Sequence, residues 1–156
     1  MAVPETAEII TVERVDHIGV RVRDPGRALA FYALLGFETK TRVDFDAVII
    51  IRNAADVELN LIVNANDDHP DSNILMDVET KHAGLTHMAL RVPSIPETMA
   101  LLKKHDIPIT QGPVMFGRDG HVSLFVRDPD RNVIELRARA EDLDAIEGLQ
   151  MYDPKG

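Results

Sequence analysis

The chain has 156 residues, of which 45% are hydrophobic and 28% charged, a composition of ordinary globular proteins that predicts one compact domain. Lys and Arg total 17 against 26 Asp and Glu, and the resulting charge of -9 repels phosphate backbones and anionic lipid, which argues against nucleic-acid and membrane partners. Cysteine is absent, so disulfides and thiolate metal sites are excluded and any metal must be held by His, Asp or Glu.

The N-terminus, MAVPETAEIITVERVDH, lacks the basic start and long apolar run of a secretory leader, and a cytoplasmic protein is expected. Residues 14–22, RVDHIGVRV, read as a strand whose alternation puts His17, Gly19 and Arg21 on one face and Ile18, Val20 and Val22 on the other. Asp24 followed by Pro25 starts a helix, since Asp caps free amides and proline at the first helical position gives up no needed donor. Ala28, Leu29, Tyr32 and Leu35 fall at helical spacing, and Gly36 supplies the left-handed residue that ends the helix. FETKTRVDF, AVIIIRN and DVELNLIV follow as β-type segments. Residues 64–83 are polar and irregular apart from Ile74, Leu75 and Met76, and are expected to be a linker or a flap over a site.

The same order then recurs. GLTHMALRV at 84–92 is a second strand with His87 in the place of His17, and Ser94 with Glu97 forms a capping box before a second helix. IPITQGPVMF, HVSLFVRD and NVIELRAR are three further strands, with DPDRN at 128–132 as a turn. The chain therefore reads as α+β, with two β-α-β-β-β modules at about 14–64 and 84–139, a linker at 65–83 and an acidic tail at 140–156. The tail carries no assigned chemistry. The two modules are expected to form a cupped mixed sheet around one metal site.

Overlaying the modules aligns His17 with His87 and Glu58 with Glu135. A single strand histidine is more often core or surface than ligand. Four N and O donors at repeat-equivalent places are harder to attribute to accident, because an acid on an inward strand face is costly unless paired or coordinated. Brought together about a pseudo-twofold axis, they suit one divalent ion: Ni, Zn, Co, Mn or Fe. A carboxylate beside such a Lewis acid is equipped to abstract a proton next to a carbonyl. His121, one strand from Glu135, is a candidate substrate contact, whereas His69, His82 and His105 read as exposed and the methionines as core or pocket wall.

The segments VDHIGVRVRDPGRALAFYALLGFE, VELNLIV, GLTHMALRV and VSLFVRDPDRNVIEL resemble the vicinal oxygen chelate superfamily, glyoxalase I most closely, over residues 14–139. That resemblance implies His17, Glu58, His87 and Glu135 as metal ligands and a homodimer, in some relatives with a site assembled across chains. It implies a lyase that moves a proton through a metal-bound enediolate, with Glu58 and Glu135 as catalytic acids and bases. The implied substrate is a glutathione hemithioacetal of a 2-oxoaldehyde, with Arg21 placed to meet a glutathione carboxylate. Within the same superfamily an Fe(II) extradiol ring-cleavage dioxygenase would use His17, His87 and Glu135. Methylmalonyl-CoA epimerases resemble the scaffold too, but usually have Gln where Glu58 stands. Fosfomycin-modifying relatives and non-catalytic binders of small aromatic drugs share the scaffold.

Overall fold

The computed structural model describes residues 8–140 and 142–152; residues 1–7, which bear on the expected absence of a leader, and Glu141 and 153–156 of the tail lie outside them. The strands are β1 Ile18–Arg21, β2 Glu38–Val43, β3 Val48–Arg52, β4 Glu58–Ile62, β5 Met88–Arg91, β6 Gln111–Met115, β7 His121–Arg127, β8 Val133–Arg139 and β9 Gln150–Met151. Helix α1 is Pro25–Leu34 and α2 is Ile95–Lys104. Rather than one continuous sheet, the chain makes a four-stranded sheet, β1-β4-β3-β2, and a five-stranded sheet, β5-β8-β7-β6-β9. In each, the first strand lies parallel to the last of its module, and the remaining pairs within the module are antiparallel. The fold is α+β, and its two halves repeat one connectivity. The unexpected strand is β9, by which the tail adds an edge alongside β6.

Both helices begin as their caps dictate: the Asp24 side chain accepts from the Arg27 amide at 3.1 Å and Ser94 Oγ from the Glu97 amide at 3.3 Å. The first helix stops at Leu34, with Leu35 as its cap and Gly36 following at φ 86°. Alternation then sorts each sheet into two faces. Val20, Leu59, Leu61, Ile49 and Ile51 of the first sheet, and Val122, Leu124, Val126, Ile134 and Leu136 of the second, join helix residues Ala28, Tyr32, Ile95 and Leu102 in one core. Each fully buried Leu or Ile there contributes roughly 1.5–3 kcal/mol by leaving water. The opposite faces, away from the helices, carry the polar side chains.

The halves are locked together by the turn between β7 and β8. Asp130 Oδ1 accepts from the Arg23 amide at 3.2 Å, Asn132 Nδ2 donates to the Arg21 carbonyl at 3.2 Å, and the buried Tyr32 hydroxyl donates to Asp128 Oδ2 at 2.8 Å. Residues 64–83 form a strap along the second sheet. Asp77 is gripped by Arg127 at 2.9 Å and Arg131 at 2.8 Å, and Met76 packs on Val114, Phe125 and Val133.

Candidate metal centre

His17 and His87 each sit one residue before their strand rather than inside it, at the mouth of the parallel pair. In both, the preceding residue engages Nδ1: Asp16 Oδ1 lies 2.6 Å from His17 Nδ1, and Thr86 Oγ1 lies 2.8 Å from His87 Nδ1. In the tautomer that donates Nδ1–H to that oxygen, Nε2 is the nitrogen left to meet an ion, an arrangement typical of metal-bound imidazole. His17 in turn holds the Asp16 carboxyl below its ordinary range, by hydrogen bond and charge.

His87 Nε2 lies 3.0 Å from Glu135 Oε2, and the His87 ring meets Phe125 edge-on at 5.5 Å. Glu135 is only 7% exposed, and its other oxygen accepts from Ser123 Oγ at 2.5 Å. A carboxylate so withdrawn from water is costly without a cation or several donors. Glu58 is less withdrawn. Its Oε1 pairs with Arg52 Nη2 at 2.6 Å, and Oε2 lies 3.9 Å from His17 Nδ1.

The four expected ligands thus come together as two pairs. Asp16, His17 and Glu58 offer donor atoms within 4.8 Å of one another, and among the described residues no third His, Asp or Glu joins His87 and Glu135 within that distance. His87 and Arg21 line a cleft of about 640 Å³ between β1, the start of β5 and the strap, with Asn64, His69 and Asn132 as further polar walls. Arg21 Nε donates to Asn64 Oδ1 at 3.0 Å. His121 lies elsewhere, 3.2 Å from Asp119, with its Nδ1 buried and lacking a well-aligned hydrogen bond.

The strand register corrects the overlay of Glu58 on Glu135. Gly19 is level with Asn60 in the first sheet and Ala89 with Glu135 in the second, each the second residue of its opening strand. The hairpins agree: Arg52 faces Glu58 where Arg127 faces Val133, and the turns match down to the left-handed Asp56 and Arg131, at φ 60° and 63°. Glu58 is therefore the counterpart of Val133, and Asn60 that of Glu135. The Asn60 amide oxygen is buried and has no hydrogen-bond partner. An orphaned buried acceptor at this position suits a cation or a substrate donor. The sequence overlay missed it by aligning acid with acid; counting from the matched turns finds it.

Comparison with known proteins follows the same lines. Residues 14–136 match the model of the Glyoxalase/Bleomycin resistance protein/Dioxygenase superfamily. The chain belongs to this superfamily. Within it, the chain is 27% identical over 131 residues to glyoxalase domain-containing protein RDO1 of Mycosarcoma maydis, covering 81% of this chain and 69% of that protein. It is 24% identical over 129 residues to the mitochondrial methylmalonyl-CoA epimerase of Homo sapiens, covering 80% and 72%. The fold is similar to that of a glyoxalase/dioxygenase from Nostoc punctiforme, with TM-score 0.67 and 20% identity over 87% of this chain and all of that one. It is also similar to the fosfomycin resistance protein FosX of Listeria monocytogenes, with TM-score 0.62 and 14% identity over 86% and 96%. Members of the superfamily typically bind a divalent metal, and the donor set here, imidazole with carboxylate, fits such an ion. No helix among the described residues is long and apolar enough to cross a membrane.

Proposed function

We propose that this chain is a metal-dependent enzyme that transfers a proton next to a carbonyl, on a small substrate bound through neighbouring oxygens. His17, His87 and Glu135 are the residues assigned to hold the divalent ion, and Glu58 is the base. We assign the completed site to the homodimer that the resemblance implies, in which the His–Glu pairs are brought to one ion. When bound, the ion supplies a Lewis acid that polarises the substrate oxygens and makes the adjacent C–H acidic. The residues do the rest. Asp16 and Thr86 orient the imidazoles. Arg52 holds one oxygen of Glu58 and leaves the other free to accept the C–H proton and to return it to carbon. Arg21, on the wall of the cleft, offers its cation to a substrate carboxylate.

The observation that carries this reading is the nearly buried Glu135 beside His87 Nε2. A glutathione hemithioacetal of a 2-oxoaldehyde is the first substrate to test. A second substrate, a branched acyl thioester of the methylmalonyl-CoA type, is suggested by the 24% identity to the human methylmalonyl-CoA epimerase. The experiment loads the purified protein with Ni2+, Zn2+ or Co2+ and follows deuterium uptake from solvent into each substrate. Metal-dependent exchange in either supports proton transfer and identifies the substrate. Absence of exchange in both, with oxygen uptake on a catechol, would replace it with ring cleavage.

A further inference from the structure

We propose that Ser123 and Arg137 are positioning residues that hold Glu135 as a one-oxygen ligand, with Oε2 directed at the ion and Oε1 kept away from it. The inference rests on the metal-site reading above and deepens it. β7 and β8 pair with Ser123 level with Arg137 and Phe125 level with Glu135, which places all four on the face away from the helices. Ser123 is fully buried in a strand otherwise rich in apolar residues, where a hydroxyl must find partners. It has two. Arg137 Nη1 lies 3.3 Å from Ser123 Oγ, and Oγ lies 2.5 Å from Glu135 Oε1.

The direction of these bonds is fixed by chemistry. A guanidinium has no acceptor, so Arg137 donates to Oγ, and the single hydroxyl hydrogen is left for Glu135 Oε1. Arg137 is itself held, because its Nη2 donates to Asp119 Oδ2 at 2.8 Å. Asp119 in turn accepts from the His121 amide at 3.0 Å, which ties it to the start of β7. The chain of donors ends on Oε1 and leaves Oε2, 3.0 Å from His87 Nε2, as the oxygen turned toward the imidazole. A one-oxygen carboxylate also leaves the ion one more position for substrate than a two-oxygen one.

The first sheet shows that the fold does not need this chain. Counting from the matched hairpins, Val48 stands where Ser123 stands and Ile62 where Arg137 stands, paired in the same register. Two aliphatic side chains occupy those positions in the first half. The polar pair belongs only to the half that carries Glu135, so we assign it to the site and not to the architecture.

The test uses Co2+ with the full-length protein at concentrations that keep it assembled. Binding is measured by calorimetric titration, and coordination number by visible absorption, whose intensity falls as ligands are added. Ser123→Ala and Arg137→Met should each weaken Co2+ binding about 10- to 100-fold, the usual effect of removing a group that orients a ligand. Each should also lower the visible intensity as Oε1 swings onto the ion, while Arg137→Lys stays near wild type. The double variant Ser123→Val with Arg137→Ile copies the pair the first sheet already folds with, and should remain folded while showing the same losses. Variants that bind Co2+ within twofold of wild type, with an unchanged spectrum, overturn the positioning role alone. Wild-type protein that takes up no Co2+ removes the metal-site reading and this proposal with it.

Discussion

Replacing Tyr32 by Phe removes one oxygen from the contact that joins the two halves. The Tyr32 hydroxyl is buried and donates to Asp128 Oδ2 at 2.8 Å, and Asp128 is 3% exposed. Asp128 has further donors: the amides of Asp130 and Asn132 reach Oδ1 at 2.9 Å, and Asn132 Nδ2 reaches Oδ2 at 2.9 Å. Burial nevertheless pushes its carboxyl above the ordinary range, with the Asn132 and Tyr32 hydrogen bonds pulling against it. A hydrogen bond to a charged buried acceptor is worth about 1.5–3 kcal/mol net, so Tyr32→Phe should cost about 2 kcal/mol. For a chain of this size that is a fall of roughly 4–8 °C in Tm by thermal denaturation. The loss should be pH-dependent in a definite sense. The folded state binds the Asp128 proton more tightly than the unfolded chain, so ionising this group takes stability away as pH rises from the ordinary carboxylate value through the raised one. Removing a bond that favours the ionised form should therefore hurt most at neutral pH and least in acid. A Tm within about 1 °C of wild type at neutral pH would show that the hydroxyl is not what couples α1 to the β7–β8 turn.

Three other outcomes follow from the same geometry. Asp77→Asn removes the clasp of the strap; Arg131 first, with the Asn73 amide and Arg127, holds this carboxyl well below its usual range, so its contribution is present above the unfolded value of 3.8 and is lost as pH falls below it. Allowing for its partial exposure, the cost is about 1 kcal/mol at pH 7, and limited proteolysis should cut within residues 64–83 faster than in wild type, a difference that vanishes in acid. Glu58→Gln should abolish proton exchange while retaining the metal, read by elemental analysis on the same sample; loss of the ion together with exchange would make Glu58 a ligand instead of the base. Asn60→Leu removes the orphaned amide oxygen while keeping the branched outline of the side chain, and metal or substrate affinity should fall by about tenfold or more; unchanged titrations would leave that oxygen without a role.

The repeat was readable because each half carries its own punctuation. Asp24 and Ser94 cap, Pro25 and Pro96 open the helices, and the alternation in VIIIR, ELNLI and VIELRAR marks strands with one apolar face. Alternation also puts Ser123 on the face of Phe125, so a serine within a buried strand was a signal available in the sequence. Register was not readable from the overlay, since shifting a strand by two residues preserves its faces and changes only the level at which each side chain stands. That is how Glu58 and Asn60 exchange places relative to Glu135 without any change in the apolar pattern. The edge strand β9 escaped notice for a different reason: two exposed residues, Gln150 and Met151, pair through backbone alone and need no pattern.

The two halves, alike in backbone, have diverged in what their open faces hold. In the second, Thr86 contacts His87, Ser123 bonds Glu135 and is itself held by Arg137, and Met76 packs on Phe125 at their flank. In the first, the places of Ser123 and Arg137 are aliphatic and Glu135's place is an amide, while the remaining acid stands two residues outward, partly exposed and held through one oxygen by Arg52. A rigid, withdrawn carboxylate suits holding an ion, and a more accessible one with a free oxygen suits receiving a proton. Equal acids in equal places would compete for both tasks; on the proposed assignment the two-residue offset divides them, and variants of Glu135 and Glu58 are expected to fail differently, the first by losing the ion and the second by keeping it without turnover.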